Sequence, residues 1–191
     1  MWWAQLLNNV VALLGNGGGA ATAYESIATY TVGAGGVSNV TFSSIPSTYK
    51  HLQIRGIMRT NNASSDDQML IRLNSDGAGN YSYHWVYGDG SSASTYSGTS
   101  TGSPWIAESG ASGGASNTYS ALVIDILDYA DTNKYKTIRS LSGVDNNGSG
   151  KVALSSASWR STSATNSVFL ERVYGSSISQ YSSFALYGIK G

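Results

Sequence analysis

Apolar and polar residues alternate along most of this chain with the two-residue period of half-buried β-strands. Leu52 and Ile54 alternate with His51, Gln53 and Arg55, and Met69, Ile71 and Leu73 with Leu70, Arg72 and Asn74. Tyr81, Tyr83, Trp85 and Tyr87 share one face, opposite Ser82, His84 and Val86. Leu122, Ile124 and Ile126 point one way, and Ala121, Val123, Asp125 and Leu127 the other. Further strands are predicted around residues 24–32, 37–42, 136–144, 151–158, 167–174 and 181–189. Gly and Asn clusters supply the reversals: 33–36 as a hairpin between the first two strands, 74–80 and 145–150 as turns. Gly56 reads as a bulge, and Gly88 to Gly114 as a long surface loop pinned by Trp105. About nine or ten strands in this order predict an all-β fold, an antiparallel two-sheet β-sandwich of jelly-roll type.

The first residues follow a different rhythm. Trp3, Leu7, Val10 and Leu14 are spaced four, three and four apart, with Leu6 and Leu13 beside them and Trp2 widening the stripe. This predicts a short N-terminal helix, ended by the tether Gly15–Gly19. The chain thus divides into an attachment helix with its glycine tether, 1–19, and a β-sandwich domain, 20–191. Export is disfavoured, because no Lys or Arg precedes the apolar run and Asn8 and Asn9 interrupt it. A membrane span needs about 20 apolar residues, and an interfacial helix needs a basic face; the segment has neither. Contact with symmetry mates or with a partner surface is the reading that remains foremost. Docking back on its own domain is the alternative.

Composition narrows the function classes. With 11 basic and 11 acidic residues in 191, the net charge is zero, which argues against nucleic acid as a partner. The absence of Cys removes disulfides and thiolate metal sites. His51 and His84 fall in predicted strands with no ligand spacing around them, so satisfied or outward strand histidines are expected. Glu25, Glu108 and Glu171 are scattered and form no visible carboxylate pair. Asp125, Asp128 and Asp131 are the densest acidic cluster. Turn organisation through hydrogen bonds to the backbone is favoured over a cation site there. No catalytic residue, metal ligand or cofactor is therefore assigned, and the chain is expected not to be an enzyme. The stripe Tyr81, Tyr83, Trp85 and Tyr87, with Trp105, is the candidate surface for a glycan or a neighbouring subunit, although such stripes are commonly core.

Several stretches resemble bacteriophage virion proteins, particularly those of cyanobacterial and other aquatic phages. They are Tyr24–Thr29, Phe42–Arg55, Asp125–Ala130 and Tyr181–Gly191. These are strand and turn sequences, so they mark kinship and carry no chemistry of their own. The resemblance implies a β-sandwich, usually trimeric, without enzymatic activity. It also implies a place in the virion, either as capsid cement (decoration) protein or as the distal part of a tail fibre or spike. The leading expectation is a homotrimeric cement protein on the outer capsid surface, bound to the major capsid protein and made in the host cytoplasm. The alternative is a carbohydrate-binding fibre or spike module that recognises host surface glycan. Neither nucleic acid nor a membrane is an expected partner.

Overall fold

The computed structural model describes residues 23–191; the predicted helix with Trp2, Trp3, Leu6, Leu7, Val10 and Leu14 lies outside them. The described chain is all β, with no helix. In chain order the strands are β1 (Tyr24–Thr31), β2 (Asn39–Phe42), β3 (His51–Thr60), β4 (Asp66–Leu73), β5 (Tyr81–Gly88) and β6 (Ala93–Thr101). They continue with β7 (Trp105–Ala111), β8 (Ser120–Leu127), β9 (Lys136–Asp145), β10 (Gly150–Trp159), β11 (Val168–Arg172) and β12 (Ser183–Ile189). The larger sheet is antiparallel, in the order β1-β12-β3-β8-β9-β10-β5-β6. The smaller is β2-β11-β4-β7, also antiparallel. A short parallel pairing of Arg59 and Thr60 with Gly110 and Ala111 joins the two at one corner.

Period-two alternation dictates the core. Leu52, Ile54 and Met58 of β3, Leu122, Ile124 and Ile126 of β8, Ile138 of β9, and Phe184 and Leu186 of β12 face inward from the larger sheet. Val40, Phe42, Met69, Ile71, Leu73, Val168 and Leu170 meet them from the smaller one. Burying this apolar area is the main stabilising term, at roughly 25 cal/mol per Å².

Strand β7, the edge of the smaller sheet, packs over β8, β9 and β10 of the larger one. One of its edges is paired with β4. Along the other, side chains replace the missing strand. Ser155 Oγ donates to the Trp105 carbonyl at 2.8 Å, and Ser140 Oγ donates to that of Ile106. The amide of Glu108 donates to Ser142 Oγ at 2.8 Å, and that of Gly110 to Ser120 Oγ. All four serines are buried on the inner face of the larger sheet, where alternation alone would call for apolar residues. They are there because a buried strand edge must find partners for its N–H and C=O groups.

Three sequence expectations need correction. Residues 33–36 do not close a hairpin: β1 pairs with β12 and β2 with β11, so this turn crosses between sheets. Gly56 is not a bulge, because β3 stays in register with both neighbours. It is a close approach, where a Cβ would lie 2.8 Å from the Phe184 ring. The segment 88–114 is not one long loop, since it holds β6 and β7. β6 contains Ser, Thr and Gly at nearly every position, and β7 is buried all along after Trp105. Neither has the apolar alternation by which the other strands were recognised. The turn 145–150 does form the expected reversal, between β9 and β10.

Candidate functional site

The aromatic stripe of β5 divides into core and shelf. Tyr81 is fully buried; its hydroxyl accepts from the Leu73 amide at 2.8 Å and its ring stacks on Trp159. Burial holds its phenol well above the ordinary pKa. No ligand reaches it. Trp85 is also buried, edge-on to Trp105 at 6.0 Å between centroids. Tyr83 and Tyr87 are half-buried on the same inner face, which runs out past β7 towards the sheet's edge. Tyr83 lies 6.3 Å from Trp105, Tyr96 lies 5.5 Å from it, and Tyr87 stacks on Tyr96 at 6.2 Å. Gly98 makes room for this group: a Cβ there would stand 2.5 Å from the Tyr83 ring. Sequence reasoning found Tyr83, Tyr87 and Trp105 but missed Tyr96, which sits in the strand taken for a loop. The spacing Ser94, Tyr96, Gly98 was the only signal available.

Beside Tyr87 the shelf ends in charge. Lys151 Nζ lies 4.8 Å from the Tyr87 ring centroid and 2.7 Å from Asp66 Oδ2. Behind this pair Glu108 is buried, accepting from Gln68 Nε2 at 3.1 Å. Desolvation raises its pKa to about 7, against the partial relief given by Lys151. Neighbouring Asp67 is wholly structural. It accepts from Thr60 Oγ1 at 2.9 Å and from the amides of Gln68 and Tyr174 at 2.8 and 2.9 Å. Glu108 is thus a buried carboxyl whose side-chain partner is Gln68.

The other titratable candidates are occupied by their own neighbours. His51 Nδ1 accepts from the Asp128 amide at 2.9 Å, and His84 is exposed on β5. Asp125 accepts from Gln53 Nε2 at 2.8 Å and Arg139 Nε at 2.9 Å. Asp128 is bracketed by Lys50 at 2.9 Å and Lys134 at 2.5 Å, which hold its carboxyl down at about 2. Asp131 organises the turn by accepting from the Asn133 amide at 2.7 Å. Next to them the buried Lys136 ammonium donates to the carbonyls of Asp131, Lys134 and Thr162. Built-in cations and amides take up these carboxylates. Among the described residues no set of three His, Cys, Asp or Glu side chains is placed to hold a metal.

The outer face of the larger sheet is the unusual surface. Register aligns Val123, Leu141, Leu154, Val86 and Thr95 in one row across β8, β9, β10, β5 and β6. Leu141, Leu154 and Val86 are 54%, 53% and 43% exposed, so the row stands in water as an apolar ridge. Beside it runs a second row, Ala121, Gly143, Val152, Gly88 and Ala93. Except for Val152, which is 63% exposed and stands up at its centre, it is made of the smallest residues. Depressions of about 210 and 320 Å³ lie on either side of Val152. At one end the ridge row continues into exposed Arg55 of β3, and along its flank Asp125 pairs with Arg139.

No family model matches the chain, and no curated protein sequence does. Among solved structures, the galectin LEC-6 of Caenorhabditis elegans is similar over 85% of this chain and 96% of its own, with 12% identity and a TM-score of 0.31. A likeness of that size carries neither ligand nor partner to this protein.

Proposed function

We propose that the chain is a non-enzymatic structural protein of a bacteriophage particle, a decoration subunit on the outside of the head. The observation that carries this reading is the apolar ridge on the outer face of the larger sheet. A contiguous apolar surface rimmed by polar groups marks an interaction site. Here it accompanies a chain with zero net charge and only 12% charged residues, a composition suited to packing into an array. The sequence resemblance to virion proteins supplies the setting. Trp3, Leu7, Val10 and Leu14 would bundle copies into trimers or grip the major capsid protein. The β-sandwich would then bridge neighbouring subunits. A ligand that binds only the assembled shell stabilises that shell by mass action. Particles lacking this protein are expected to release DNA at lower temperature than complete ones, and adding it back should restore the difference. Equal release temperatures would reject the role.

A second reading is favoured by one separate observation, the shelf of Tyr83, Tyr87, Tyr96 and Trp105. Half-exposed rings of this kind stack on the apolar faces of sugars, with Lys151 and Asp66 as polar neighbours. In this reading the chain is a host-recognition module that binds surface glycan. Screening the full chain against a glycan array separates the two: saturable binding lost in Tyr96→Ala favours recognition, and none favours decoration.

A further inference from the structure

We propose that Lys151 and Asp66 condense to an amide, a covalent bond that the folded chain makes within itself and that ties its two sheets together. Lys151 is on β10 of the larger sheet and Asp66 on β4 of the smaller one, with Nζ 2.7 Å from Oδ2. That contact brings the carboxyl carbon close to the ~3–3.5 Å of a near-attack geometry.

The setting separates this pair from the other ion pairs of the described residues. Lys50, Lys134 and Lys190 hold their ammonium groups in water. The arginine pairs offer no nucleophile, because a guanidinium keeps its proton. Lys151 and Asp66 are only 21% and 24% exposed, and the Tyr87 ring covers the ammonium at 4.8 Å. A third group stands behind them. Glu108 is opposite Gln68 in the β4–β7 pairing, and Asp66 is two residues along β4, so both carboxyls share one face. Glu108 is buried, and the charges of Lys151 and Asp66 act on it. Its pKa of about 7 lets it take and return a proton at neutral pH.

Burial works against the Lys151 ammonium, but Asp66 and Glu108 outweigh it and hold its pKa above the ordinary lysine value. The reaction therefore starts from the ion pair. Transfer of a proton from Nζ to the Asp66 carboxylate leaves a free amine beside a neutral acid. The Nζ lone pair then adds to Cγ. Ionised Glu108 takes a proton from the nitrogen and gives it to the departing hydroxyl, so the C–O bond breaks and water leaves. Ammonium and carboxylate have become amide and water, nothing is oxidised or reduced, and Glu108 is regenerated. Free in solution the two ions do not condense; held in the fold, they react at effective concentrations of up to ~10⁵–10⁸ M. In a chain without cysteine, the amide takes the part of a disulfide, closing the loop from β4 to β10 and restricting the unfolded state. The bond is independent of both the decoration and the recognition readings.

Intact-mass spectrometry of the full chain, incubated folded at neutral pH and then denatured, tests the bond. The parent is expected to be lighter by one water than its sequence requires, and its digest to contain a branched peptide joining Lys151 to Asp66. Lys151→Arg and Asp66→Ala are each expected at full mass. Glu108→Gln is expected to form at least tenfold less of the bond in the same time, and Glu108→Asp, which keeps an acid, to recover part of it. Circular dichroism checks that each variant folds, and the parent's own mass decides the bond without them. A parent at full mass overturns the amide and leaves a plain ion pair. Water loss that persists in Lys151→Arg also overturns it, since that is succinimide formed at Asp76-Gly77 or Asp89-Gly90. Equal bond formation in Glu108→Gln and Glu108→Asp overturns the proton-carrying role of Glu108.

Discussion

Glu108 shows how burial shifts a titratable residue. Its ordinary pKa of 4.5 is raised to about 7, chiefly by desolvation. Below pH ~4.5 it is protonated in both folded and unfolded chains and contributes nothing to pH dependence. Between ~4.5 and ~7 the unfolded chain releases this proton while the folded chain keeps it, so stability falls as pH rises. Above ~7 the loss is complete, at most about 3 kcal/mol. Glu108→Gln keeps a carbonyl acceptor for Gln68 and removes the charge. The comparison is made with Lys151→Arg in both chains, which keeps the neighbouring cation and excludes the amide. The variant is then expected to match the parent near pH 4 and to exceed it by about 1–3 kcal/mol at pH 8. Urea titrations at the two pH values measure this, and parallel pH profiles would show that burial does not control the group.

At the scale of elements, the strands that alternate were legible and the strands that do not were hidden. β3, β4, β5, β8, β9 and β10 announce themselves because one face enters the core and the other meets water. β7 is buried after its first residue, and its identity depends on hydroxyls contributed by β8, β9 and β10. That information is non-local, and Ser140 and Ser142 look like ordinary polar residues in the sequence. The same serines give a direct test. Ser140→Ala leaves the Ile106 carbonyl without its donor, and Ser142→Ala leaves the Glu108 amide without its acceptor. Each should cost about 1–3 kcal/mol, the penalty for an orphaned buried polar group. Ser156→Ala, exposed on β10, should stay within about 0.5 kcal/mol of the parent. Denaturation midpoints that fail to separate the inner serines from Ser156 would contradict the capping role.

For the whole molecule, the sequence disclosed a sandwich and an aromatic stripe, yet not the surface on which the proposed assembly depends. Val86, Leu141 and the pair Val152 and Leu154 come from three separate segments of the chain. Only strand order brings them together on one face, and strand order here joins β10 to β5 across a long stretch of chain. The tyrosines were legible as a stripe because they share one strand; Tyr96 was not, because it arrives from β6. Two attachments can therefore be tested apart. The amino-terminal stripe is separated from β1 by a glycine-rich run. Leu7→Asp/Val10→Asp is expected to reduce incorporation into particles at least tenfold while leaving the melting temperature of the β-domain unchanged. Leu154→Asp, on the exposed face, should leave folding intact and weaken lateral cohesion, seen as lower occupancy at limiting protein concentration. Full incorporation of the amino-terminal variant would assign attachment to the sandwich itself, and the ridge would then be the first surface to examine for shell contact.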